Sequence, residues 1–305
     1  MLDGNLRPGA WVHRGLRTNG GRFLGTYLRE HADQGSARTL KAFLNLCGSA
    51  GRARCAFAAG SAAATRAKYA ALLRRLKAHP KSADVTYAEL VSATVGALYE
   101  PGGWPEFAKM LQQIWRTGAA SRPLASYSRI PMSPPASDLA PSAEHTASAP
   151  STYSGPEQAF AVVCSESPNP AASVFRLGDA FAADRSGDVG HYWWWASGAC
   201  VDWPAFSPDT YGGPWNRRTA NPVLVIGNTH DPATPYRGAV AMSRQLACGR
   251  LLTLRGYGHT SGADPSTCIG RALVAYLVRV ATPKPGAACQ ADRVPFDPHF
   301  GEPAL

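Results

Sequence analysis

Residues 221–236 read NPVLVIGNTHDPATPY, an apolar run that breaks into a polar turn with Asp231 at the break. A second run, RLLTLRG (250–256), gives way to GYGHTSG, where His259 stands among Gly256, Gly258 and Gly262. An acid and an imidazole at the ends of two successive strands can do proton-transfer chemistry. The carboxylate accepts one ring N–H, which fixes the tautomer and stabilises the imidazolium when the other nitrogen takes a proton. Each residue alone has a plainer reading: an Asp before Pro232 forms an Asx turn, and a His in a Gly-rich loop sits in solvent. The pair, each at the end of its own strand with one helical pattern between them, is more specific.

Those two positions need a frame. PVLVIG (222–227) reads as a strand, RGAVAMSRQLA (237–247) as a helix, RLLTLRG as a strand and STCIGRALVAYLVRV (266–280) as a helix, which makes a parallel α/β unit. In such sheets functional groups gather beyond the carboxyl ends of the strands. The spacing predicts Asp231 one four-residue turn past the first strand and His259 just past the second, on the same sheet edge. Upstream, residues 16–117 are helical in pattern, with Ala-rich segments at 36–46, 61–79, 86–99 and 105–117. Thr86 and Glu89 have the spacing of a capping box, and Pro80 and Pro101 punctuate the block. From about 118 to 156 the chain turns to Ser, Pro and Ala, an irregular, partly mobile connection. QAFAVVC (158–164) restores an apolar run. HYWWWASGACVDWP (191–204) holds four of the eight tryptophans, which either line a pocket or pack as a structural cluster.

The chain has 305 residues, 45% hydrophobic and 17% charged, enough to build a core in one large domain or two unequal ones. Its net charge of +10 is scattered, and the densest stretch, LLRRLKAHPK (72–81), lies on a helical pattern with an apolar stripe of Tyr69, Leu72, Leu73 and Leu76. That pattern reads as a solvated helix face rather than a nucleic-acid surface. No apolar run approaches the ~20 residues of a membrane span, and the N-terminus lacks the order of a signal peptide. The histidines are dispersed without metal-ligand spacing, no loop has the pattern of a phosphate cradle, and no cofactor is implied. The seven cysteines fall in local couples, Cys47 with Cys55, Cys164 with Cys200 and Cys268 with Cys289, leaving Cys248 over. That spacing favours three disulfides in an oxidising compartment over buried thiols in a cytosolic enzyme.

Asp followed by His is also the second and third part of the Ser, Asp, His chain order of the α/β hydrolases. PVLVIGNTHDPATPYRGAVAMSRQL, LLTLRGYGHTS and TCIGRALVAYLVRVATPKPGAAC closely resemble the C-terminal region of tripeptidyl-aminopeptidase-like serine hydrolases of the proline-iminopeptidase group. The resemblance covers 205–305 most strongly, extends to the helical block as that family's cap, and takes in MLDGNLRP, which is similar to the family's strand after the nucleophile elbow. It implies a partial α/β-hydrolase fold with a mostly helical cap: 1–15 as a strand end of the core, 16–204 as the cap and 205–305 as the C-terminal hydrolase portion. It also implies Asp231 as the triad acid, His259 as the general base, and an extracytoplasmic location.

The substrates so implied are short peptides with a free N-terminus, or a small amide or ester, with no obligate protein partner. A cap acid would pair with the substrate ammonium. Glu166 stands where such an acid is expected, a solvated surface acid being the plainer reading, and Trp194 belongs to the cluster that would line an apolar cleft. The nucleophile has no counterpart: no Gly in the chain is followed two residues later by Ser, so there is no G-x-S-x-G elbow. Ser261 lies in the histidine loop without an elbow to support it. The expectation is the C-terminal part of a secreted serine hydrolase, begun after its elbow and inactive alone. The alternative is an inactive remnant or a peptide-binding protein.

Overall fold

The computed structural model describes residues 2–3, 25–80, 84–120, 123–127, 156–166 and 169–298. The Ser/Pro/Ala-rich connection read at 118–156, like most of the segment 1–15, lies largely outside the described residues.

The first half is helical. A short α1 (Thr26–Arg29) leads into α2 (Ala32–Ala50), followed by α3 (Ala62–Ala78), α4 (Tyr87–Leu98) and α5 (Trp104–Thr117). Local chemistry sets their starts. Ser61 accepts the amide of Ala64 ahead of α3, and Thr86 and Glu89 close a full capping box on α4. On α5, Phe107, Met110, Leu111 and Ile114 recur at helical spacing and are all buried, while Glu106 and Lys109 pair on the wet side. The helix stops at Gly118, whose left-handed φ of 76° lets its N–H return to the carbonyl of Ile114. Helix α4 is buried on nearly every side from Leu90 to Leu98 and forms the axis of the block.

After the undescribed stretch come α6 (Pro156–Glu166), α7 (Ala172–Ser186) and α8 (Asp188–Ala196), the last carrying the tryptophans. Trp193 and Trp194 are among the largest fully buried side chains, whereas Trp195 is about half exposed. Gly178 and Gly190 allow the α7–α8 approach: a Cβ on Gly178 would lie 2.0 Å from the Trp194 ring, and one on Gly190 2.0 Å from the carbonyl oxygen of Ala182.

The N-terminal β1 (Leu2–Asp3) joins the C-terminal strands β2 (Val223–His230), β3 (Gly249–Tyr257) and β4 (Ala288–Gln290) in a parallel sheet of order β1-β2-β3-β4. Alternation along β2 sends Val225 to one face and Leu224 and Ile226 to the other. Val225 packs on Ala239 and Met242 of α9 (Tyr236–Gln245), while Leu224 and Ile226 pack with Leu252, Leu254, Cys289 and Ile269 of α10 (Thr267–Arg279). Each such fully buried aliphatic side chain is worth roughly 1.5–3 kcal/mol. Disulfides join Cys47–Cys55, Cys164–Cys200 and Cys268–Cys289, and Cys248 is a free thiol. The two sheet faces have clusters of their own, and the helical cluster meets the sheet at its edge: Ala233 and Phe296 belong to the helical cluster, and Tyr257 packs against it. No helix among the described residues is long and apolar enough to cross a membrane.

Candidate active site

Strand β2 runs further than the sequence pattern indicates. Its pairing with β3 continues across a bulge between Asn228 and His230, so Asp231 opens the turn directly at the strand end instead of four residues beyond it. The turn then folds around its own carboxylate. Oδ1 of Asp231 accepts the amides of Ala233 and Thr234, both at 2.8 Å, and Oδ2 accepts the Thr234 hydroxyl at 3.0 Å. The amide of Thr260, arriving from the other strand end, donates to Oδ2 at 2.9 Å. The Asx turn expected of an Asp before proline is therefore present, and the same carboxylate also reaches across to the histidine loop.

His259 completes the set, with Nδ1 3.0 Å from Oδ1 and 3.2 Å from Oδ2 of Asp231. Asp231 is only 4% exposed, and the imidazole is about one-fifth exposed. An ionised carboxylate only accepts, so the proton sits on Nδ1 and the Nε2 lone pair is left to take a proton from a substrate or nucleophile. His230, the neighbour of Asp231 in sequence, does not compete: its Nδ1 lies 3.2 Å from the Gly256 carbonyl oxygen, and burial pushes its pKa down.

Several positioning residues have no counterpart in the sequence reading. Asn228, buried in β2, donates through Nδ2 to the carbonyls of Tyr257 at 2.8 Å and Gly258 at 3.0 Å, clamping the start of the histidine loop. The loop is held from outside by the turn after α4, where Tyr99 accepts the His259 amide at 2.9 Å and meets the imidazole edge-on at 4.9 Å between centroids. Gly258 is required there: its φ is 85°, and a Cβ would lie 2.6 Å from both the Tyr99 carbonyl oxygen and Pro101 Cδ. Asp264 accepts the Tyr257 amide at 2.7 Å and sits where a Cβ on Gly256 would intrude at 2.4 Å. Burial, with a smaller contribution from Asp292, pushes the Asp264 carboxyl up to about 6.

Helix α2 backs the acid turn. Ser36 Oγ donates to the Pro232 carbonyl at 2.7 Å and accepts the Trp193 indole N–H at 2.8 Å, while Thr39 Oγ1 lies 3.0 Å from the His230 carbonyl oxygen. A Cβ on Gly35 would come within 2.7 Å of the Asp231 carbonyl oxygen. The only advance sign of these contacts is the Gly-Ser pair inside an otherwise strong helical pattern.

The other two assigned positions are Trp194 and Glu166. Trp194 is fully buried, stacked on Phe175 at 4.9 Å and donating its indole N–H to the Phe175 carbonyl at 2.7 Å; it fills the cap interior instead of facing an open cleft. Its apolar surface and single polar atom are both satisfied there, as a packed cluster requires. Glu166 ends α6, two residues past Cys164 and its disulfide to Cys200, and is half buried. Among the described residues no group of three His, Cys, Asp or Glu side chains is placed to hold a metal ion.

A parallel sheet covered by helices on both faces, with acid and imidazole hydrogen-bonded beyond two adjacent strand ends, is the C-terminal part of an α/β-hydrolase fold. Residues 186–289 match the family described as TAP-like protein, and this region of the chain is similar to the TAP-like α/β hydrolases. The match begins upstream of β2 and includes the tryptophan-rich α8. Over 92 residues, 30% of this chain and 17% of the relative, the sequence is 38% identical to serine protease Hip1 of Mycobacterium tuberculosis. Over 231 residues, 73% of this chain and 41% of the relative, it is 28% identical to carboxylesterase B of M. tuberculosis. Over 107 residues, 33% of this chain and 19% of the relative, it is 30% identical to the tripeptidyl aminopeptidase of Streptomyces coelicolor. The chain thus spans less than half the length of these curated relatives.

Proposed function

We propose that Asp231 and His259 are the acid and the general base of a serine hydrolase that releases short peptides from free N-termini in an extracytoplasmic compartment. The observation that carries this is the Asp231 carboxylate, buried and supplied by four donors besides the imidazole, with its histidine aligned through Nδ1. In the reaction so read, Nε2 takes the proton of a serine hydroxyl as it attacks the scissile carbonyl. Asp231 stabilises the resulting imidazolium, and Nε2 then returns the proton to the leaving amine. The relatives' names, a serine protease, a carboxylesterase and a tripeptidyl aminopeptidase, support acyl transfer as the reaction class and leave amide and ester substrates both in play.

The 305 residues contain no G-x-S-x-G, so the proposal assigns the nucleophile and its oxyanion donors to an elbow outside them. By this reading the 305 residues alone do not turn over substrate. Three disulfides support the extracytoplasmic location. A second reading, a catalytically silent peptide-binding remnant, rests on that same missing motif.

The test is expression of these residues with and without their upstream coding sequence, assayed on peptidyl p-nitroanilides with free or acetylated N-termini and on p-nitrophenyl esters. Turnover only with the upstream segment, and preference for the free amine, is the expected result. Inactivity of the extended polypeptide on every substrate selects the remnant. Hydrolysis by the 305 residues alone, with fluorophosphonate labelling of one of their own serines, overturns both readings.

A further inference from the structure

The positive charge is less evenly spread than the sequence pattern indicates. Between Asp33 and Asp84 the chain has no Asp or Glu, and this stretch carries ten Lys and Arg residues. In the fold three cations from separate elements meet at one cavity of about 460 Å³, lined by Arg52, Lys68, Gln112, Trp115 and Arg116 with small alanines between. Arg52 comes from the α2–α3 connection, Lys68 from α3 and Arg116 from α5. The Cys47–Cys55 disulfide closes the loop that carries Arg52.

Lys68 is fixed in place, donating to the Phe57 carbonyl at 3.0 Å and to Gln112 Oε1 at 2.5 Å, with its ammonium 4.3 Å from the centre of the Phe57 ring. An ammonium has three N–H groups, so one remains for a ligand. Burial holds the Lys68 pKa down, and Arg52 and Arg116 push it further the same way, a repulsion left uncompensated. Among the described residues no carboxylate is within ion-pair distance of any of the three. Arg75 crosses the Trp115 ring, with its guanidinium carbon 5.2 Å from the ring centre, and caps the last carbonyls of α5, which holds that wall rigid.

The cavity is separate from the catalytic pair. Trp104 at the start of α5 touches Tyr257 beside the histidine loop, and Trp115 is eleven residues further along, about 16 Å along the helix axis.

We propose that this cavity is a binding site for a phosphomonoester group on a small molecule, seated between the Arg52 and Arg116 guanidinium groups and the remaining N–H of Lys68. Two guanidinium forks and an ammonium suit a doubly charged, many-acceptor oxyanion better than a single carboxylate. Such a ligand also offsets the like-charge repulsion of Arg52 and Arg116 on Lys68.

The experiment is calorimetric titration and thermal unfolding of the full 305-residue chain with inorganic phosphate, phenyl phosphate, acetate and chloride at matched ionic strength. Saturable binding of both phosphates, with a rise in Tm that acetate and chloride do not give, is expected. The Arg52→Ala and Arg116→Ala variants, which alter exposed side chains and leave the fold intact, should each raise Kd at least tenfold, and Glu106→Ala, on the same helix, should leave it unchanged. A stronger response to phenyl phosphate than to phosphate assigns the organic body to the Trp115 wall, and equal responses assign binding to the phosphoryl group alone. An equal Tm rise in chloride, or unchanged Kd in both arginine variants, would overturn the proposal.

Discussion

Asn228 is the residue whose role is easiest to isolate, because its side-chain amide donates to backbone carbonyls of the histidine loop. Asn228→Ala leaves the Tyr257 and Gly258 carbonyls short of a buried donor, and should destabilise the chain by about 1–3 kcal/mol in chemical denaturation. A change under a few tenths would contradict the clamp. Asp264 gives a pH signature. Its carboxyl holds a proton up to about 6 in the folded chain, above its unfolded range near 4. The stability linked to it is therefore complete below pH 4 and lost as pH rises through about 6. Asp264→Asn keeps an acceptor for the Tyr257 amide, so the difference in Tm between wild type and variant should shift in the variant's favour across pH 4–6 and be flat above. At this scale, Asp231 and His259 were legible because each ends an apolar run in turn-forming residues. Asn228 was not, since nothing local distinguishes an Asn that bonds two carbonyls about thirty residues away from one that faces water.

Helices and strands were legible wherever one face is apolar and the ends carry caps. The segments read at 36–46, 61–79, 86–99 and 105–117 fall on α2 to α5, and the strand-helix-strand-helix order is that of β2, α9, β3 and α10. The extent of β2 was missed because a bulge lets polar residues continue the ladder, which hydrophobic periodicity does not register. The packing of α2 behind the acid turn was also out of reach, since Ser36 and Pro232 are 196 positions apart. That contact makes a prediction at the scale of the element. Gly35→Ala puts a Cβ 2.7 Å from the Asp231 carbonyl oxygen and 2.9 Å from Pro235 Cγ, so α2 must back away from the turn. A loss of stability of about 1–3 kcal/mol is expected, together with slower turnover in the polypeptide that carries the nucleophile. Wild-type stability would show that α2 does not bear on the turn.

Across the whole molecule, the helical block and the sheet meet through a few shared contacts among the described residues. Ala233 follows the acid directly after Pro232 yet belongs to the helical core, Phe296 returns to pack on Phe43 with ring centres 6.0 Å apart, and Tyr257 meets Trp104 at 5.4 Å. Calorimetry should therefore give a single unfolding transition with disulfides intact, and two resolved transitions would mean that the shared contacts carry little energy. The helical block does more than cover the sheet edge: through Ser36, Gly35 and Tyr99 it sets where Asp231 and His259 stand. The central claim is that Asp231 holds His259 with Nδ1 protonated and Nε2 free. Its most direct test is a long-range ¹H–¹⁵N spectrum of the His259 ring in the 305-residue chain and in Asp231→Asn. The account predicts a proton on Nδ1 in the wild type and a loss of that tautomer preference in the variant. A wild-type ring protonated on Nε2, or a ring indifferent to the substitution, would contradict it.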